Sequence, residues 1–172
     1  VSNMQVGNMD GYCVGEPWNA RAIELGIGFT AATSQESWTI HPENVLGCSR
    51  AFVQQNPNTA RAMIMAVLEA CRHLDDFKNR AAAAQLISGK AYVNCPAATI
   101  SGRFLGQYDN GAGKKWLDGN MMKFFNGGKV NFPYLSDGMW FMTQHKRWGL
   151  MGGNPDYLGI ARAVNQVELY RE

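Results

Sequence analysis

Cysteine, histidine and charge are all scarce in this chain, and each shortage closes a class of function. The four cysteines (Cys13, Cys48, Cys71, Cys95) stand singly, with no C-x-x-C pair. That spacing excludes a zinc site built on paired thiolates, and a disulfide framework needs more of them, so buried free thiols are expected. The three histidines (His41, His73, His145) are far apart and none sits in H-E-x-x-H, so the sequence offers no metal site. Charged residues are 17% of the chain and the net charge is +2. The densest basic points are the pairs Lys114-Lys115 and Lys146-Arg147, which read as solvated faces, and no basic stripe marks a nucleic-acid partner. No stretch reaches the ~18 consecutive apolar residues of a membrane span. Residues 1–5 show neither the charged nor the apolar region of an export signal. Repeats and low-complexity tracts are absent too.

Three stretches carry pieces of catalytic or nucleotide motifs. Gly111-Ala112-Gly113-Lys114-Lys115 has the look of a phosphate loop, but Tyr108 stands where its first glycine belongs. Lys115 also stands where a hydroxyl would hold Mg²⁺. Gly26-Ile27-Gly28 precedes a strand-like run, whereas a dinucleotide fingerprint follows one. Gly47-Cys48-Ser49-Arg50-Ala51 resembles a nucleophile elbow, yet no acid lies beside His73 or His145 to orient a base. Asp75-Asp76 and Glu168 read as solvated or capping groups, and no pair of catalytic carboxylates emerges. No enzyme and no cofactor are expected.

What is present is an alternation of short apolar runs and helical patterns. Residues 1–9 read as a helix tail or loop that stops at Gly7-Asn8. Strands are expected over 10–15, 28–33 and 45–48. A short helix fits 17–26, with Pro17 in its first turn and Gly26 at its end. The clearest helix covers 57–75. Asn56 is its expected cap, Pro57 its first residue, and Ala60, Met63, Ile64, Val67, Leu68, Cys71 and Leu74 its buried face. Further helices fit 78–89, 136–149 (capped by Ser136 or Asp137) and 154–164. The glycine-punctuated stretch 102–128 reads as a long surface excursion with one helical turn near 121–125. Residues 167–170 are apolar enough to dock on the body. Three or four strands against four or five helices suit part of an α/β lobe rather than a complete doubly wound sheet.

One stretch concentrates unusual chemistry: Asp10-Gly11-Tyr12-Cys13-Val14-Gly15-Glu16-Pro17-Trp18-Asn19-Ala20. A β-prone run between two glycines ends in a Glu-Pro-Trp corner and enters a helix. Such a strand end suits a small ligand. A plain strand-to-helix turn with a core tryptophan is the simpler reading. The aromatic load of the C-terminal third (Phe124, Phe125, Phe132, Tyr134, Trp140, Phe141, Trp148) fits either a core or a face that covers a partner.

Together with four further stretches, this corner resembles the nitrate- and bicarbonate-binding receptors of bacterial ABC transporters. They are Gly28-Phe29-Thr30-Ala31-Ala32-Thr33-Ser34-Gln35, Val45-Leu46-Gly47-Cys48-Ser49-Arg50, Pro57-Asn58-Thr59-Ala60-Arg61-Ala62, and the run from Asn131-Phe132-Pro133-Tyr134 to Met139-Trp140-Phe141. The resemblance implies a partial type II periplasmic-binding-protein fold, α/β in class: one incomplete lobe with a crossover strand and a helix-rich C-terminal part. It implies a single solute-binding-protein-like domain over 1–172, the C-terminal half of such a receptor, with 1–16 crossing from the second lobe and 17–172 returning to lobe one. The implied ligand is a small inorganic anion: nitrate, nitrite or bicarbonate. The implied partners are the transporter's membrane subunits, the N-terminal lobe or a second copy forming a homodimer, and the implied compartment is the periplasm. A cytoplasmic location is the expectation for a complete 172-residue protein. Gly15, Glu16, Pro17 and Trp18 match the cleft-lining crossing. Met65, with Ile64, falls where nitrate-binding members place a lysine, so the charge that would neutralise the anion is absent. The alternative is a self-associating structural or regulatory module with no ligand binding of its own.

Overall fold

A computed structural model of the chain describes all 172 residues. In chain order the elements are α1 (Ser2–Gln5), α2 (Trp18–Glu24), α3 (Ser34–Ser37), α4 (Arg50–Gln55), α5 (Pro57–Asp75), α6 (Phe77–Ile87), α7 (Ala97–Phe104), β1 (Gln107–Asp109), β2 (Lys115–Leu117), α8 (Leu135–Arg147), α9 (Tyr157–Val164) and α10 (Val167–Arg171). The fold is therefore helix-rich α/β with one two-stranded sheet. None of its helices is long and apolar enough to cross a membrane.

The chain divides into two compact units. The first comprises residues 1–41 and 73–124. Its centre is α7, against which α6, α2 and β1 pack. Ala84 from α6, Cys95 from the loop before α7 and Ile100 from α7 form a small core, flanked by Ile87, Val93 and Phe104. Alanine at the α6 contact lets the helices approach closely. Beside this core lies Arg80, only 2% exposed. Its guanidinium donates to the carbonyls of Leu74 (2.7 Å), Phe104 (2.5 Å) and Met122 (3.3 Å). It also sits over the rings of Phe77 and Phe124, at 4.2 and 5.1 Å from their centroids. A buried cation is tolerated when its donors are satisfied in this way. Burial holds its pKa below the usual arginine value, opposed by the charge of Asp75.

After α7 the chain reverses at Gly106, whose φ of +73° only glycine adopts without strain. It then enters the antiparallel hairpin β1–β2, paired Gln107↔Leu117, Tyr108↔Trp116 and Asp109↔Lys115. Tyr108 and Trp116 stack with centroids 5.3 Å apart, and Asp109 pairs with Lys115 at 3.0 Å. At the tip, Asn110 Oδ1 accepts from the amides of Ala112 (2.9 Å) and Lys114 (3.0 Å). The glycines that suggested a surface excursion are turn residues here, with Gly111 at φ +71° and Gly113 at +94°.

The three expected strands do not form. Residues 10–15, 28–33 and 45–48 are irregular, without ladder pairing. The nearest approach to pairing is one bond from Thr30 N–H to Asn110 O at 2.9 Å. Residues 10–15 thus lack the strand geometry expected of them, since a β-prone run forms no strand without a partner.

The second unit comprises residues 42–72 and 125–172. Here α8 packs on α9, with Met142 and Ala161 buried. Contact is close at Gly138, where an added Cβ would meet Asn165 Oδ1 at 3.1 Å. Asn165 in turn donates to Tyr134 O at 2.8 Å. The docking expected of residues 167–170 is realised by α10: Tyr170 donates to Gly128 O (3.0 Å) and packs edge-on against Phe132. Arg61 on α5 is ion-paired with Glu172.

Helix α5 spans the residues expected of it, but two details differ. Its buried stripe is narrower: Ala60 is buried, Ile64, Leu68, Cys71 and Leu74 are half-buried, and Met63 and Val67 are exposed. Asn56 does not cap it with its side chain, which donates back to Phe52 O at 3.2 Å. Likewise α8 begins at Leu135, so Asp137 lies in its first turn rather than capping it, and α9 begins at Tyr157, capped by Asp156.

Candidate functional site

The corner at residues 15–18 is held by bonds that close it on itself. Tyr12 Oη donates to Trp18 O at 3.2 Å, and Asn19 Nδ2 donates to Val14 O at 2.7 Å. Trp18 N–H reaches back to Gly15 O at 3.4 Å. Pro17 is buried and precedes α2, while Gly26 (φ +66°) follows its end, in keeping with the Pro-first, Gly-last pattern. Trp18 is 37% exposed, so it is not the core tryptophan of the simpler reading. The amides of Gly15 and Glu16 donate to nothing within the chain, nor does the Trp18 indole N–H. Three donors therefore stand close together in sequence with free hydrogens.

Glu16 is fully engaged. Its Oε2 accepts from Ala20 N–H at 3.1 Å. Its Oε1 lies 3.0 Å from Arg103 Nε, with side-chain exposures of 18% and 6%. The Arg103 N–H is not aimed at that oxygen, so the contact is an ion pair rather than an aligned hydrogen bond. Arg103 donates from Nη1 to Gln107 O (2.8 Å) and lays its guanidinium 4.6 Å from the centroid of the Tyr108 ring. In every other ion pair at least one partner is about a third exposed or more.

Arg103 also lines a cavity of about 710 Å³ with Glu24, Thr99, Tyr108, Lys115 and Trp116; none of residues 15–18 lines it. Thr99 Oγ1 donates to Glu24 Oε1 at 2.6 Å. Burial, and then the charge of Glu16, raises the phenol pKa of both Tyr108 and Tyr12; at Tyr108 the cation of Arg103 opposes them. Burial also raises the thiol of Cys95, against its bond with Thr99. No three side chains of His, Cys, Asp or Glu gather as metal donors.

Residues 1–88, just over half of the chain, match the NMT1-like family. The chain belongs to the NMT1-like family. Over its whole length it is 36% identical to the nitrate/nitrite binding protein NrtA of Nostoc sp., covering 39% of that protein. It is 37% identical to the nitrate import ATP-binding protein NrtC of Synechocystis sp., again over the whole chain, covering 26% of that protein. The crystal structure of the periplasmic nitrate-binding protein NrtA from Synechocystis superposes with a TM-score of 0.94 at 32% identity, over 99% of this chain and 44% of that one. The chain thus spans about two-fifths of the length of its nitrate-binding relatives.

In this NMT1-like chain, Gly15, Glu16, Pro17 and Trp18 form one local structure in the first unit. Met65 belongs to the second unit, on α5, and is 54% exposed. Arg103 escaped the sequence reading. Its signal was there: Ile100, Arg103 and Phe104 fall at i, i+3 and i+4, which puts an arginine on an otherwise apolar helix face. A cation in that setting needs a partner, and here the partner is the half-buried carboxylate of Glu16.

Proposed function

We propose that this chain is a non-catalytic solute-binding module of a nitrate-type importer, acting in the periplasm with an ABC transporter's membrane subunits. The ligand is a small planar oxyanion, with nitrate first and nitrite and bicarbonate as rivals. The reading rests on likeness to a nitrate-binding protein along the whole chain. The local chemistry agrees with it, because the free N–H groups of Gly15, Glu16 and Trp18 are donors, and an oxyanion is all acceptor. Glu16 contributes its amide and not its carboxylate, whose oxygens are both engaged. Pro17 sets the turn. Met65, carried by the resemblance alone, supplies no charge, so affinity depends on neutral donors and falls below that of a site with a lysine there, by about 1.5–3 kcal/mol.

Titration calorimetry of the chain with nitrate, nitrite and bicarbonate tests this. Saturable heat with nitrate at one site per chain is the expected result. No heat from any of the three at millimolar concentration rejects the reading.

A further inference from the structure

We propose that Arg103 is a positioning residue of the Gly15–Trp18 corner, because it cancels the Glu16 carboxylate and so leaves the neighbouring donors open to an anion. This rests on the oxyanion reading above and adds the residue that makes it electrostatically feasible. Glu16 sits within one residue of Gly15 and two of Trp18, so its charge lies beside the donors an oxyanion would use. An uncompensated carboxylate there would repel the ligand, with a strength that low exposure increases. Arg103 is the cation that meets it, at 3.0 Å and 6% side-chain exposure. No lysine or histidine forms an ion pair with Glu16. The guanidinium is fixed on two further sides, by Gln107 O and by the Tyr108 ring. The corner therefore receives a positive charge in a set position from another part of the unit, through a helix and a hairpin that contain none of its donors.

Arg103 acts through Glu16 and need not touch the anion, so its test must separate charge from structure. Nitrate affinity and melting temperature are measured in the full chain for four proteins: unsubstituted, Arg103→Met, Arg103→Lys and the double variant Glu16→Gln/Arg103→Met. The expected results are a loss of about tenfold or more in nitrate affinity for Arg103→Met, and a smaller loss for Arg103→Lys, which keeps the charge but not the planar fork. The double variant recovers affinity to within a few-fold while its melting temperature stays low, since the contacts to Gln107 and Tyr108 remain lost. Affinity then follows the corner's charge balance, and stability follows the contacts. Equal nitrate affinity in Arg103→Met and the unsubstituted chain overturns the proposal, as does a double variant that binds no better than Arg103→Met. Failure of the unsubstituted chain to bind nitrate is a different outcome: it removes the oxyanion reading and this inference with it.

Discussion

Two buried arginines show how a single side chain can carry opposite roles. Arg103 meets the carboxylate of Glu16, in the corner proposed to bind an anion. Arg80 donates its hydrogen bonds to carbonyls and lies over rings, and its role is to tie α6 to the end of α7 and to the segment around Met122. Its desolvation is offset by the charge of Asp75, three hydrogen bonds and two ring contacts. Arg80→Met keeps the length and removes the donors, leaving the carbonyls of Leu74 and Phe104 without that partner. It is expected to cost about 3 kcal/mol, read from urea unfolding, while nitrate affinity in the folded protein stays within a few-fold of the unsubstituted chain. A loss below about 1 kcal/mol would mean that water replaces the guanidinium without penalty. Neither arginine announces its partner in sequence, and the fold alone decides whether an anion or a set of carbonyls receives it.

Among the elements, the hinge between α7 and β1 matters most to the site, because it brings Arg103 and Tyr108 together. Gly106 makes that reversal at φ +73°, and its carbonyl accepts from Asp118 N–H at 2.9 Å. A Cβ there would fall 2.8–2.9 Å from the Sδ, Cβ and Cε atoms of Met121. Gly106→Ala thus combines a left-handed backbone with a clash that a rotamer change cannot clear, since Met121 Cβ is itself involved. A cost of about 2–3 kcal/mol is expected from the two effects together, and circular dichroism during urea unfolding measures it; an unchanged midpoint would show that the turn relaxes freely. The same stretch explains what was legible in the sequence. Helix α5 was readable over its full range because Pro57 and a 3.6-residue apolar period are local signals. The expected strands at 10–15, 28–33 and 45–48 failed because strand structure depends on a partner, which no local pattern supplies. The hairpin was missed for the converse reason. Its strands are three residues each, too short to show alternation, and its glycines resemble a loop. Of the candidate site, the corner at residues 15–18 was visible as an unusual local string, whereas the counter-charge of Glu16, 87 residues away in the chain, was not.

At the scale of the whole molecule, charge is sparse enough that a few titrating groups set the response to pH. Burial raises the phenol pKa of Tyr12, Tyr108 and Tyr170 above the ordinary value of 10.0, and Tyr12 and Tyr108 carry the additional push of Glu16. A group whose pKa is raised on folding binds its proton more tightly in the native state. Its contribution is complete below the unfolded value and is lost as pH rises through the folded one. These phenols therefore stabilise the fold below pH 10.0 and release that stability above it, in the first unit through Tyr12 and Tyr108 and in the second through Tyr170. Opposing them at the acid end, the Asp109 carboxyl is held low by the Gly111 amide, then by Lys115. Its contribution is present above the unfolded carboxylate value and lost as pH falls below it, but exposure to solvent leaves it a weaker lever than the phenols. Melting temperature should consequently hold through neutral pH and drop above about pH 10. Tyr108→Phe keeps the ring stacked on Trp116 and removes the titrating hydroxyl, so the alkaline drop should become shallower without a comparable loss near pH 7. Thermal melts of both proteins from about pH 7 to about pH 11 decide the matter. Parallel curves would remove Tyr108 from the account and leave the alkaline transition to Tyr12, Tyr170 and the buried thiol of Cys95.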